Sequence, residues 1–176
     1  ALTHGSASPN NYERIEFLGD RVLGLVISEW LFQLYPEEPE GKLSRRFNQI
    51  VSGEVCAAIA REIGIQPHMI LGKQARDDGA TESTNVLGDM MEALIGALFL
   101  DGGLDEARAL VRSLWQSRVE DGSAAPKHPK SALQEWAAAH RRKGPDYELV
   151  ERSGPPHSPK FTVTVSIRNV GEATAT

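Results

Sequence analysis

One cysteine, Cys56, is the only thiol in the 176 residues of this chain. That scarcity excludes internal disulfides and thiolate zinc clusters, and it suits a reducing compartment, the cytoplasm. No apolar run approaches the roughly 18 residues of a membrane span, so no membrane partner is expected. The opening ALTHGSASPN has neither a charged n-region nor an apolar h-region, so it does not read as a signal peptide. The chain begins without methionine and stops at GEATAT, which fits a piece of a longer protein.

What is present is core material and an uneven charge. Hydrophobic residues make up 40% and charged residues 24%, the composition of a globular protein. The net charge of −5 hides an asymmetry. Residues 1–125 carry 11 Lys and Arg against 19 Asp and Glu, whereas residues 126–176 carry 8 against 5. Opposite signs in two segments suggest two tasks, with the basic segment facing a polyanion.

The hydrophobic spacing divides in the same place. NYERIEFLGDRVLGLVISEWLF reads as a helix buried on most of its surface. After the break YPEEPEGK, KLSRRFNQIVSGEVCAAIAREIGI keeps helical spacing, and QPHMILGKQARDDGATES reads as a loop. TNVLGDMMEALIGALFLDGG is apolar nearly all round and closes on Gly-Gly, and LDEARALVRSLWQSRVE is a further amphipathic helix. The first 120 residues are therefore expected to be all helical. EDGSAAPKHPK reads as a linker, SALQEWAAAHRRK as a short helix stopped by Gly144-Pro145, and DYELVER and KFTVTVSIRN as two strands joined by SGPPHSP. The second segment is thus α+β.

Within the first helix, Glu13, Glu16 and Asp20 fall within about 60° of one another at ~100° per residue. Like charges on one side of a core helix repel and are costly to desolvate. Asp89 and Glu92 share a face of the second apolar helix at i, i+3 spacing. Two such helices can converge on four carboxylates. Hard oxygen donors without Cys or His suit Mg²⁺, with Mn²⁺ able to substitute. A core arginine could instead pair with any one acid, Arg14 and Arg21 being near in sequence, but five acids on two stripes outnumber the basic residues on those faces. Spacing alone leaves all-helical nucleotide pyrophosphohydrolases open, since they use a similar acid pattern. Missing Glu-x-x-His pairs disfavour a ferritin-like di-iron centre.

ERIEFLGDRVL resembles the ERLEFLGDxVL signature of bacterial ribonuclease III. The resemblance extends to ALTH followed by Ser6, to PEGKLS at 39–44 and to VLGDMMEALIGALFLDGG at 86–103. It implies an all-α endonuclease domain over 1–121, a linker over 122–129 and the N-terminal part of an α+β double-stranded RNA-binding domain over 130–176. The family's helix upstream of ALTH is missing. The implied activity is Mg²⁺-dependent cleavage of double-stranded RNA to 5′-phosphate and 3′-hydroxyl ends, in rRNA and mRNA processing and RNA turnover, by a cytoplasmic homodimer. A catalytically silent RNA-binding scaffold is the rival of another class. Inactive relatives typically lose acids, and here all four are present.

By matching position, the metal-binding acids would be Glu16, Asp20, Asp89 and Glu92, with Asp20 and Glu92 catalytic. Glu13 and Glu40 match supporting acids, and Phe17 matches an aromatic that plugs a pocket of the partner subunit. Gly5, Asn85 and Gly88 depart from the usual Arg, Ser and Ala. In the second domain Gln134 and Glu135 fall in the first-helix RNA contact region. His157 falls in the loop that reaches a second minor groove of A-form RNA.

Overall fold

The computed structural model describes residues 1–121, 129–154 and 159–176. The chain divides into two compact units, Ala1–Ala125 and Pro126–Thr176, each described by itself.

The first unit is built on two long helices. Helix α1 (Glu13–Leu34) packs against α5 (Thr84–Glu120), with α2 (Glu40–Ile50) and α3 (Gly53–Glu62) completing the core. Leu23, Val26, Ile27 and Leu31 of α1 meet Leu87, Met90, Met91 and Ile95 of α5 in a cluster closed to solvent. Trp115 anchors the far end, its Nε1–H donating at 3.0 Å to the carbonyl of Ile50. That bond satisfies one of the orphan carbonyls that a helix C-terminus leaves.

The outer face of α1 departs from the expected near-complete burial. Phe17, Leu25 and Phe32 are 62%, 57% and 72% exposed. Apolar composition marked the helix correctly but could not say which apolar face finds a partner within the chain.

The stretch 42–63 is two helices. Its apolar spacing carries across Val51, but Ser52 stands in extended backbone and its side chain accepts from the Val55 N–H. That is a helix start inside an otherwise unbroken pattern. The expected loop at 66–83 is tighter than a loop: it holds two 3₁₀ turns, Gln66–His68 and Ala80–Glu82, and a short helix α4 (Lys73–Asp77). A single parallel bridge, Thr3 to Ile70, ties it to the N-terminal segment. The expected break at Gly102-Gly103 is present within α5, where Gly103 adopts φ 81°, ψ −172° between two helical runs.

In the second unit α6 (Pro129–Ala139) ends before His140, with Arg141 left-handed at φ 52°. The expected pair of strands is a three-stranded antiparallel sheet, β1 (Asp146–Ser153), β2 (Lys160–Ile167) and β3 (Gly171–Ala175), in that order. The third strand, GEATA, has Ala as its only apolar residue type and a single β-branched residue, Thr174, so its strand signal is weak. Its register on β2, Val163 to Ala175 through Ile167 to Gly171, is pinned by a Thr164–Thr174 hydroxyl pair at 2.7 Å. The expected linker at 122–129 lies, but for Pro129, outside the described residues.

Candidate active site

The acids meet where α1 and α5 approach most closely, and glycine makes that approach possible. A Cβ on Gly19 would land on the Glu92 carbonyl, and one on Gly96 would strike the Ile15 carbonyl. The two backbones are in contact, so side chains one turn away on either helix are forced together. Glu16 lies one turn before Gly19, and Asp89 and Glu92 lie on the last two turns before Gly96.

The electrostatics record the crowding. Burial first, and then the charges of Glu16 and Asp89, push the Glu92 carboxyl up to about 7, against the pull of Arg21 and a Cys56 hydrogen bond. Glu16 is raised by burial, then by Asp89 and Glu13. Asp89 is raised by burial, while a hydrogen bond from Tyr12 and the nearby His4 hold it down. These are partly desolvated carboxylates that repel one another, with Arg21 offsetting only part of the crowding. Placement near a helix N-terminus offsets part of the cost for Glu13 and Glu16, which occupy the first turn of α1.

Two of the contacts come from residues that sequence spacing did not single out. The Tyr12 hydroxyl donates to Asp89 Oδ2 at 3.3 Å, and Cys56 Sγ lies 3.9 Å from Glu92 Oε1. Cys56 is fully buried, and its thiol is pushed up to about 12, chiefly by burial and then by Glu92. Neither contact leaves a periodic trace, because each joins residues far apart in the chain.

The expected members divide as follows. Glu16, Asp89 and Glu92 are brought together, with Glu13 close enough to raise Glu16. Asp20 is turned to its neighbour Arg21 in an ion pair, so the expectation that basic residues would be too few on this face fails at that one position. Glu40 opens α2 and accepts from the Ser44 hydroxyl at 2.6 Å. Phe17 stands on the exposed face of α1 with the Arg21 guanidinium 4.9 Å from its ring centre. Gln134 and Glu135 lie on the solvent side of α6. His157 lies outside the described residues.

Among the described residues no group of three or more His, Cys, Asp and Glu side chains is placed to hold a metal ion between them. The donor chemistry fits a hard divalent cation all the same: oxygen ligands only, mutually repelling and partly buried. Mg²⁺ retains several waters and needs only one or two direct carboxylates, so a closed cage is not required.

Comparison with known proteins places this arrangement. Residues 1–118 match the family described as Ribonuclease-III-like, and residues 129–176 match the double-stranded RNA binding motif. The chain is 61% identical over 175 residues to Ribonuclease 3 of Zymomonas mobilis, covering 99% of this chain and 71% of the relative. It is 46% identical over 170 residues to Ribonuclease 3 of Bartonella quintana, covering 95% and 72%. Among solved structures, a nuclease domain of ribonuclease III from Campylobacter jejuni superposes with a TM-score of 0.65 at 34% identity, over 66% of this chain and 82% of that one. Dicer from Pichia stipitis gives 0.52 at 27% identity, over 93% and 78%. The helical unit and the α+β unit that follows it agree with these matches, and the chain belongs to the ribonuclease III family, as an endoribonuclease carrying a double-stranded RNA-binding motif.

Proposed function

We propose that this protein is a divalent-metal-dependent endoribonuclease that cuts double-stranded RNA to 5′-phosphate and 3′-hydroxyl ends, acting in rRNA and mRNA processing and RNA turnover. The observation that carries the reading is the convergence of Glu16, Asp89 and Glu92 over the Gly19–Gly96 contact. Those three would hold Mg²⁺ or Mn²⁺, and Asp20, whose side chain is 40% exposed, would join them on leaving Arg21. When bound, the cation supplies the positive charge the group lacks, acidifies a water and steadies the charge that builds on the scissile phosphate.

The protein's own part is positional. Glu92 and Asp20 are the catalytic acids, and Glu16 and Asp89 fix the direction from which phosphate oxygens are met. Glu13 and Glu40 are supporting acids near them. Water attacks phosphorus, the bond from phosphorus to the 3′ oxygen breaks, and that oxygen takes up a proton. Arg21, released from Asp20, remains beside the site as a counter-charge for the RNA backbone.

The division of labour we propose is a catalytic domain over 1–121, a linker over 122–129 and an RNA-binding portion over 130–176, in a cytoplasmic protein. The ends of the two family matches, at 118 and 129, support it. Gln134 and Glu135 on α6, with His157, would contact RNA. The protein works as a homodimer. The Campylobacter relative is described as having a region involved in dimer formation of its nuclease domain, and here Phe17, Leu25 and Phe32 leave an apolar stripe on α1 exposed. No helix among the described residues is long and apolar enough to cross a membrane.

The test is Glu92→Gln, which keeps shape and removes charge. Supplied with labelled double-stranded RNA and Mg²⁺, the variant should lose cleavage by several orders of magnitude while still binding RNA. Near-parental cleavage at saturating RNA sinks the role given to Glu92. Hydrolysis of nucleoside triphosphates in place of RNA by the parent would return the pyrophosphohydrolase reading.

A further inference from the structure

Tyr12 is placed with unusual care for a residue that caps nothing with its side chain. It is 5% exposed and precedes α1, where its carbonyl accepts from the N–H groups of Ile15 and Glu16. Its own N–H donates to the Thr3 carbonyl at 2.9 Å. The strand-like segment holding Thr3 is fixed in turn, with His4 N–H bonded to the Ile70 carbonyl and Ile70 N–H to the Leu2 carbonyl, both at 2.9 Å. The His4 ring lies 5.8 Å from the Tyr12 ring, centre to centre. His4 is itself oriented: the Ser6 N–H can only donate, so Nδ1 accepts, and the proton of the neutral ring sits on Nε2. Ser6 Oγ then accepts from the Gly72 N–H at 3.0 Å.

This scaffold ends on one polar contact, the phenolic O–H to Asp89 Oδ2, spanning 77 residues of chain. In this pair the phenolic O–H donates, since a carboxylate oxygen only accepts. A phenylalanine would fill the same space. The hydroxyl therefore calls for a reason of its own.

We propose that Tyr12 is a positioning residue for Asp89, committing Oδ2 to the phenol and leaving Oδ1 for the cation. The inference rests on the metal reading of Glu16, Asp89 and Glu92. A free aspartate must give up rotamers when it takes an ion, whereas an aspartate already held has little left to lose. Partners that hold a ligand from behind typically contribute about 10–100-fold in metal affinity or activity.

The experiment compares the parent with Tyr12→Phe. Mn²⁺ is titrated by calorimetry without RNA, and Mg²⁺ is titrated in cleavage of a double-stranded RNA at saturating concentration. The variant should bind Mn²⁺ about tenfold more weakly. It should need correspondingly more Mg²⁺ for half-maximal cleavage and recover near-parental rate when Mg²⁺ saturates. In an Asp89→Asn background, Tyr12→Phe should add nothing to the loss of Mn²⁺ binding. A purely structural Tyr12 would lower the melting temperature and leave both titrations unmoved, which overturns the proposal. Equal losses from Tyr12→Phe in the parent and in the Asp89→Asn background would overturn it as well. A parent that binds no Mn²⁺ would instead overturn the metal reading, and this inference with it.

Discussion

Glu92 is the carboxyl group at which burial and like charge add most. Its carboxyl is held at about 7 in the folded protein against an ordinary value of 4.5. Between those two pH values the folded chain keeps a proton that the unfolded chain releases, so metal-free stability falls as pH rises through the window. The penalty is absent below about pH 4.5 and complete above about pH 7, on the order of 2 kcal/mol once solvent screening at this partly exposed group is allowed for. Glu92→Gln removes it. Without divalent cations the variant should melt above the parent at pH 8, and the gap should close as pH falls toward 4.5. A gap that ignores pH would assign the gain to packing. The acids themselves were legible in the sequence because i, i+3 and i, i+4 spacing puts them on one face. An ion pair of one acid with Arg21 was legible as an alternative, and Asp20 takes it. Tyr12 and Cys56 were not legible, since contacts across dozens of residues follow no helical period.

At the scale of elements, the pairing of α1 with α5 decides whether the acids meet. Gly19→Ala places a methyl group where the Glu92 carbonyl already is, and the only relief is to separate the helices. Overpacking of backbone against backbone should cost about 3 kcal/mol in chemical denaturation, the upper end of the usual range. Denaturation with an unchanged midpoint would mean that the helices do not touch there. The two long helices were readable from apolar spacing, and so was the glycine break in α5. The glycines at 19 and 96 gave no such signal, because an interior helical glycine looks like a weak point until its neighbour is known. Ser52 was hidden by apolar spacing that continues across it, and β3 by its lack of large apolar residues. Propensity reads what a segment prefers, and these segments were settled by what they touch.

At the scale of the molecule, two surfaces bear on the proposed assembly and RNA binding. Phe17, Leu25 and Phe32 recur along α1 at helical spacing and remain exposed. Phe17→Ala should weaken self-association by a few kcal/mol if the ring fills a pocket on the partner. Sedimentation decides it: a variant as dimeric as the parent returns Phe17 to an ordinary surface position. The second surface is electrostatic. Residues 126–176 carry the net positive charge, so removing them should flatten the dependence of RNA affinity on monovalent salt, and an unchanged slope would show that they do not meet the phosphates. The span between Tyr12 and Asp89 also has a consequence in time. Residues that meet in the site lie 77 positions apart, and nothing local can hold them together before the intervening helices have formed and the loop has closed. On the ribosome the chain emerges N-terminus first, at roughly 5–20 residues per second. For several seconds α1 is outside with its acids dispersed and its partner helix not yet made. The nuclease is born inert beside the message that encodes it, and acquires its site only when the first half of α5 has cleared the tunnel.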